Sequence, residues 1–116
     1  MSENVEKIFR KLTSMGIKNI TFFTHQGEPI KTTMDPEKTK RVVNLALGIL
    51  EQARRILINL SGSSAQLKTL KATTENGTLH LIIGKGHILA YLAPKMLSEE
   101  QEKFFEIANK IDALFK

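Results

Sequence analysis

No cysteine occurs in the chain, which rules out disulfides and thiolate-bound metals and is compatible with the cytosol. Tryptophan is absent too, aromatics make up 6%, and no RNA-binding or DNA-binding motif is visible, so a nucleic-acid partner is not expected. Long apolar runs are missing. The N-terminal MSENVEKIFRKL interleaves acids and bases with its apolar residues and reads as neither a signal peptide nor a membrane span. The three histidines, His25, His80 and His87, have no second His, Asp or Glu at metal-ligand spacing. Gly84-Lys85-Gly86 lacks the upstream glycine and the following Ser or Thr of a phosphate loop, and no elbow motif orients Ser63 or Ser64 as a nucleophile. With no convergent set of titratable groups, no catalytic residue, cofactor, metal or enzymatic activity is expected.

What is present is an ordinary soluble composition, 41% hydrophobic and 25% charged, whose length of 116 residues supports one domain over residues 1–116. The net charge of +5 comes from bases spread over the whole sequence, which reads as solvated surface charge. Asn19-Ile20-Thr21, Asn59-Leu60-Ser61 and Asn76-Gly77-Thr78 match the glycosylation triplet but, with no secretory signal, read as chance.

The most informative stretch is Asp35 to Leu60, a long amphipathic helix with Asp35 as cap and Pro36 at its first position. Val42, Ala46, Ile49, Ala53, Ile56 and Leu60 fall on one line, flanked by Leu45 on one side and by Val43, Leu47, Leu50 and Leu57 on the other. The apolar arc spans roughly 200°, about twice the ~100° stripe needed to lie on one sheet. Something besides its own sheet must cover this helix.

Around it, the spacing predicts a helix over residues 3–15 ended by Gly16, a hairpin of Ile17 to Thr24 and Pro29 to Met34, and a linker SGSSAQ. Strands follow at Leu67 to Thr74, Thr78 to Ile83 and His87 to Ala93, the first two joined at Asn76-Gly77. Ser98 and Gln101 form a capping box for a C-terminal helix over 98–115, so residues 98–116 read as a helical extension. The fold class is α+β, with helices covering a mostly antiparallel sheet.

The strand after the linker is a candidate edge, and pairing of two copies there satisfies both edges in one sheet while bringing the long helices together. A homodimer is therefore expected, with Val43, Leu47 and Leu50 facing the second copy and Leu67, Thr69, Lys71 and Thr73 at the edge. The competing arrangement has the first or last helix cover the apolar arc.

Gly27-Glu28-Pro29-Ile30-Lys31-Thr32-Thr33-Met34-Asp35 resembles the turn, strand and helix cap of Roadblock-type dynein light chains. Val5-Glu6, Gly16-Ile17, Ala53-Arg54 and Leu67 through Leu70 fall in matching order, so the resemblance covers residues 4 to about 94. It implies a Roadblock/longin-like αββαβββ fold with strand order 2-1-5-4-3, and a dimer with itself or a paralogue sharing a continuous ten-stranded sheet. It further implies a non-catalytic adaptor in the cytoplasm, associated with the cytoskeleton or cilium, that binds the dynein intermediate chain of the microtubule motor. Glu51, Arg54 and Arg55 would orient that peptide. The alternative it implies is a scaffold or regulator of a small GTPase, as among prokaryotic and lysosomal relatives. The Pro29 to Asp35 stretch favours the motor subunit; the C-terminal extension and the basic balance point the other way.

Overall fold

The computed structural model describes residues 2–62, 66–75 and 77–94. Helix α1 (Ser2–Ser14) forms from Val5, Ile8, Phe9 and Leu12 at helical spacing, all buried. Gly16 adopts φ 86°, a left-handed conformation that costs glycine little, and Ile17 N–H returns to the Leu12 carbonyl (3.1 Å). That bond holds Ile17 in the turn, so the first strand starts three residues later than the β-branched run suggests.

Strands β1 (Ile20–Thr24) and β2 (Pro29–Thr32) form the expected hairpin. Thr33 closes the hairpin: its N–H bonds the Ile20 carbonyl (3.0 Å), while its hydroxyl donates to the Lys18 carbonyl (2.6 Å) and accepts from Ile20 N–H (2.9 Å). The chain then enters α2 (Pro36–Ser61), where the Asp35 carboxylate accepts from Lys38 N–H (2.8 Å). Gly62, at φ 73°, ends the helix with its N–H on the Ile58 carbonyl (2.8 Å). Strands β3 (Thr69–Thr74), β4 (Gly77–Ile83) and β5 (His87–Pro94) complete an antiparallel sheet of order β2-β1-β5-β4-β3, the order the resemblance implies. The helix expected over 98–115 lies outside the described residues.

Strand alternation splits the core between the two faces of the sheet. On one, Ile20, Phe22, Ile82, Leu89 and Tyr91 pack against Val5, Ile8, Phe9 and Leu12 of α1. On the other, Phe23, Leu81, Ile88 and Ala90 pack against Val43, Ala46 and Leu50 of α2. The sheet is thus sandwiched between the two helices. Among the described residues, no helix is long and apolar enough to cross a membrane.

This packing corrects one expectation. Val43 and Leu50, each 1% exposed, face their own sheet and not a second copy, and Leu47 is half-buried against the same cluster. The reason lies at the start of the helix. The Thr39 hydroxyl meets that of Thr32 on β2 (2.9 Å), and the short connection through Asp35 leaves no slack, so the line Thr39, Val43, Ala46, Leu50 is turned inward.

Candidate functional site

The helix has its inward line fully buried along its first half only. Its 26 residues extend ~39 Å at ~1.5 Å each. The inward line is buried as far as Leu50; beyond it Ala53 and Leu57 are half-buried while Arg54 and Ser61 are exposed. The last three turns are therefore less covered than the first half of the helix.

A second apolar line runs the whole length of the helix on its outer flank. Leu45 is 68% exposed, Ile49 42%, Ile56 58% and Leu60 81%, and the half-buried Val42 begins the row. These positions recur at spacings of three and four, the pattern of a helix-pairing seam, with Gln52 the one polar member. Gly27, in the β1–β2 turn, lies against Leu47 and Val43, so the seam lies on the flank of the helix away from that turn. On the sheet below, the cross-strand row Leu92, Leu79, Ala72 is also incompletely covered, with Leu92 45% exposed.

The two sheet edges differ. In β3, Leu70 opposes Leu81 and Ala72 opposes Leu79, in step with the Lys68–Ile83 pair whose Ile83 N–H bonds the Lys68 carbonyl (2.9 Å). Hydrogen-bonded and non-bonded pairs alternate, so the backbone groups of Thr69, Lys71 and Thr73 point away from β4, toward the open edge. These three were singled out from sequence, and all are exposed; Leu67, singled out with them, is half-buried against the α2-side core. Strand β2, at the other edge, begins with Pro29, has four residues and carries a register break opposite Phe22 and Phe23. Proline and irregularity are devices that discourage strand addition.

Glu51, Arg54 and Arg55 are all exposed, and Arg55 pairs with Glu51 one turn earlier (3.0 Å). Arg54 points ~100° away from Arg55, so the three do not converge. Such an exposed pair adds under ~1 kcal/mol to stability. Among the described residues, no group of His, Cys, Asp or Glu is placed to hold a metal. His25 Nε2 donates to the Gly84 carbonyl (2.9 Å), His87 stacks on Phe22 (5.0 Å), and buried His80 stacks on Tyr91 (4.9 Å). Burial, then the charge of Lys71 on the neighbouring strand, lowers the His80 pKa to about 4, and burial pushes the Tyr91 hydroxyl up. His80 is therefore a neutral core group at physiological pH.

Five of the nine residues that carry the resemblance have structural roles. Gly27, at φ 90°, makes the turn; Lys31 lies over the Phe9 ring (5.3 Å to its centre) and pairs with Glu6, whose carboxyl it holds below the usual range. Thr32 and Thr33 anchor the end of the hairpin, and Asp35 caps α2. These residues identify a fold. None of their contacts selects a partner.

No family model and no curated protein matches the sequence. Solved structures do. The gliding protein mglB from Thermus thermophilus superposes with a TM-score of 0.72 at 14% identity, over 98% of this chain and 86% of that one. An MglB in a tetrameric arrangement gives 0.68 at 14% identity, over 98% and 88%. A Roadblock/LC7 domain from Streptomyces avermitilis gives 0.64 at 17% identity, over 85% and 76%.

Proposed function

We propose, starting from a chain that has the Roadblock/LC7 fold, that the protein is a non-catalytic adaptor that works as a dimer and docks a small GTPase. The observation that carries the dimer is an open β3 edge together with an exposed apolar seam along α2. A second copy added at β3 places its own seam against this one, covering both at once. Each large apolar side chain so buried contributes ~1.5–3 kcal/mol before the entropy of association is subtracted.

Bacterial structures of the same fold support the GTPase class of partner, because the resemblance assigns that role to prokaryotic relatives. The motor reading, with the dynein intermediate chain as partner, rests on the Gly27 to Asp35 segment, several of whose residues the fold itself accounts for. It remains the second reading.

Light scattering of the purified chain should give twice its 13.0 kDa mass. Leu45→Glu charges the seam, and Thr73→Pro removes an N–H that points to the edge and not to β4; each should return the mass to one copy with an unchanged circular-dichroism spectrum. A wild-type monomer at the same concentration would overturn the dimer. Affinity purification from the native cell should recover a small GTPase; recovery of an intermediate chain instead would decide for the motor reading.

A further inference from the structure

We propose that the outer face of α1 is a docking surface for an anionic lipid bilayer, with Lys7, Arg10 and Lys11 as the residues that hold it there. Val5, Ile8, Phe9 and Leu12 turn to the sheet and are buried. Steps of 100° then put Arg10, Ser14, Lys7 and Lys11 within a ~100° arc on the opposite side, and the three bases are exposed. Lys18 adds a fourth exposed base just past the Gly16 turn that ends the helix.

Concentration of charge sets this stretch apart from the scattered bases elsewhere. From Val5 to Lys18 the chain carries these four bases against a single acid, Glu6. That acid is already engaged: Lys31 of β2 pairs with it and holds its carboxyl below the usual range. None of the four bases is in an ion pair among the described residues. Their charge is left for something outside the molecule to answer.

What the face lacks decides the class of partner. Among the described residues, the exposed large apolar side chains lie on α2, β2 and β5 and none on α1. A protein partner is held mainly by apolar and aromatic anchors at the centre of its footprint, and α1 offers it no such foothold. Phe9, Phe22, Phe23 and Tyr91 are buried, so the described residues give nucleotide bases no aromatic platform on which to stack. A bilayer needs neither. Its headgroups form a broad sheet of negative charge, and each Lys or Arg brought close to it strengthens binding ~5-fold. The apolar side of α1 is occupied by the sheet, so the helix rests on the headgroups and does not insert.

The sheet lies between the two helices, so seating α1 on a membrane turns α2 outward, where a partner can reach it. Neither the dimer nor the docked GTPase is assumed, since both use the β3 edge and α2.

Sedimentation of the full chain with lipid vesicles tests this. It should pellet with phosphatidylcholine vesicles containing about one-third phosphatidylserine and stay in the supernatant with phosphatidylcholine alone. Raising salt to ~1 M, where the screening length shrinks to ~3 Å, should release it. Lys7→Gln with Lys11→Gln should weaken binding ~25-fold with an unchanged circular-dichroism spectrum. Lys40→Gln with Arg41→Gln removes the same charge from α2, on the other side of the sheet, and should weaken it less than ~3-fold. Equal losses in the two double variants would mean that net charge and not this face is read, and would overturn the proposal. Binding to neutral vesicles as strong as to anionic ones, or no binding to either, would overturn it too. Tighter retention by duplex DNA than by the anionic vesicles at the same salt would overturn it in favour of nucleic acid.

Discussion

Acid should unfold this protein through His80 before the general loss of carboxylate charge. His80 is 4% exposed on β4, with the Tyr91 ring stacked against it from β5 and Lys71 opposite it on β3. Its folded pKa is lowered from 6.5 to about 4. A histidine whose folded pKa is depressed binds its proton more readily in the unfolded chain, so between those two values unfolding takes up a proton. Stability is therefore constant above the unfolded pKa, falls as pH drops through the window and levels off below the folded pKa. The separation, 6.5 less about 4, corresponds to ~3 kcal/mol at ~1.4 kcal/mol per pH unit, a sizeable share of a typical domain's ~5–15 kcal/mol. Urea unfolding across the window, at fixed protein concentration, measures the slope. His80→Phe keeps a ring on Tyr91 and removes the titration, so its stability should be nearly flat where the parent declines. Parallel curves for parent and variant would refute the reasoning. The Glu6 carboxylate, held down by Lys31, loses its ion pair only at lower pH and acts equally in both proteins.

Leu50→Ala should cost ~2–5 kcal/mol in urea unfolding, because it empties a site 1% exposed beneath α2, and should leave the oligomeric mass unchanged; a loss under ~1 kcal/mol would contradict the inward assignment of that line. Gly77→Ala should lower Tm by several degrees, since at φ 154° the new Cβ meets the Ala93 carbonyl oxygen at 2.2 Å and both groups belong to paired backbone; an unchanged melting curve would be inconsistent with that contact.

Element order was legible because each boundary has a local cause. Gly16, the turn at Gly27 and Asp35-Pro36 mark their positions chemically, and strand order followed from the resemblance. The edge strand was legible for the same reason: Thr69, Lys71 and Thr73 suit a half-exposed ladder.

Rotation of α2 was not legible. With apolar residues over half its circumference, periodicity alone accepts either Val43, Leu47, Leu50 or Leu45, Ile49, Ile56 as the inward line. What decides is a long-range contact, Thr32 with Thr39. A signal was nevertheless present. The Val43 line is broken by Arg54, whereas the outer line continues to Leu60 with only Gln52 intervening. The depth of His80 was hidden because a strand histidine looks alike in sequence whether covered or not.

The unequal edges of the sheet also set a limit on growth. A sheet open at both ends is divalent, and identical copies can add to it without end, as fibres do. Here the β2 side is closed by Pro29, by its brevity and by its broken register, while the β3 side is open over six residues. The protein is monovalent for strand pairing. Whatever strand joins β3 ends the chain of additions there, so an adhesive edge is kept from seeding a polymer by the shape of the opposite one.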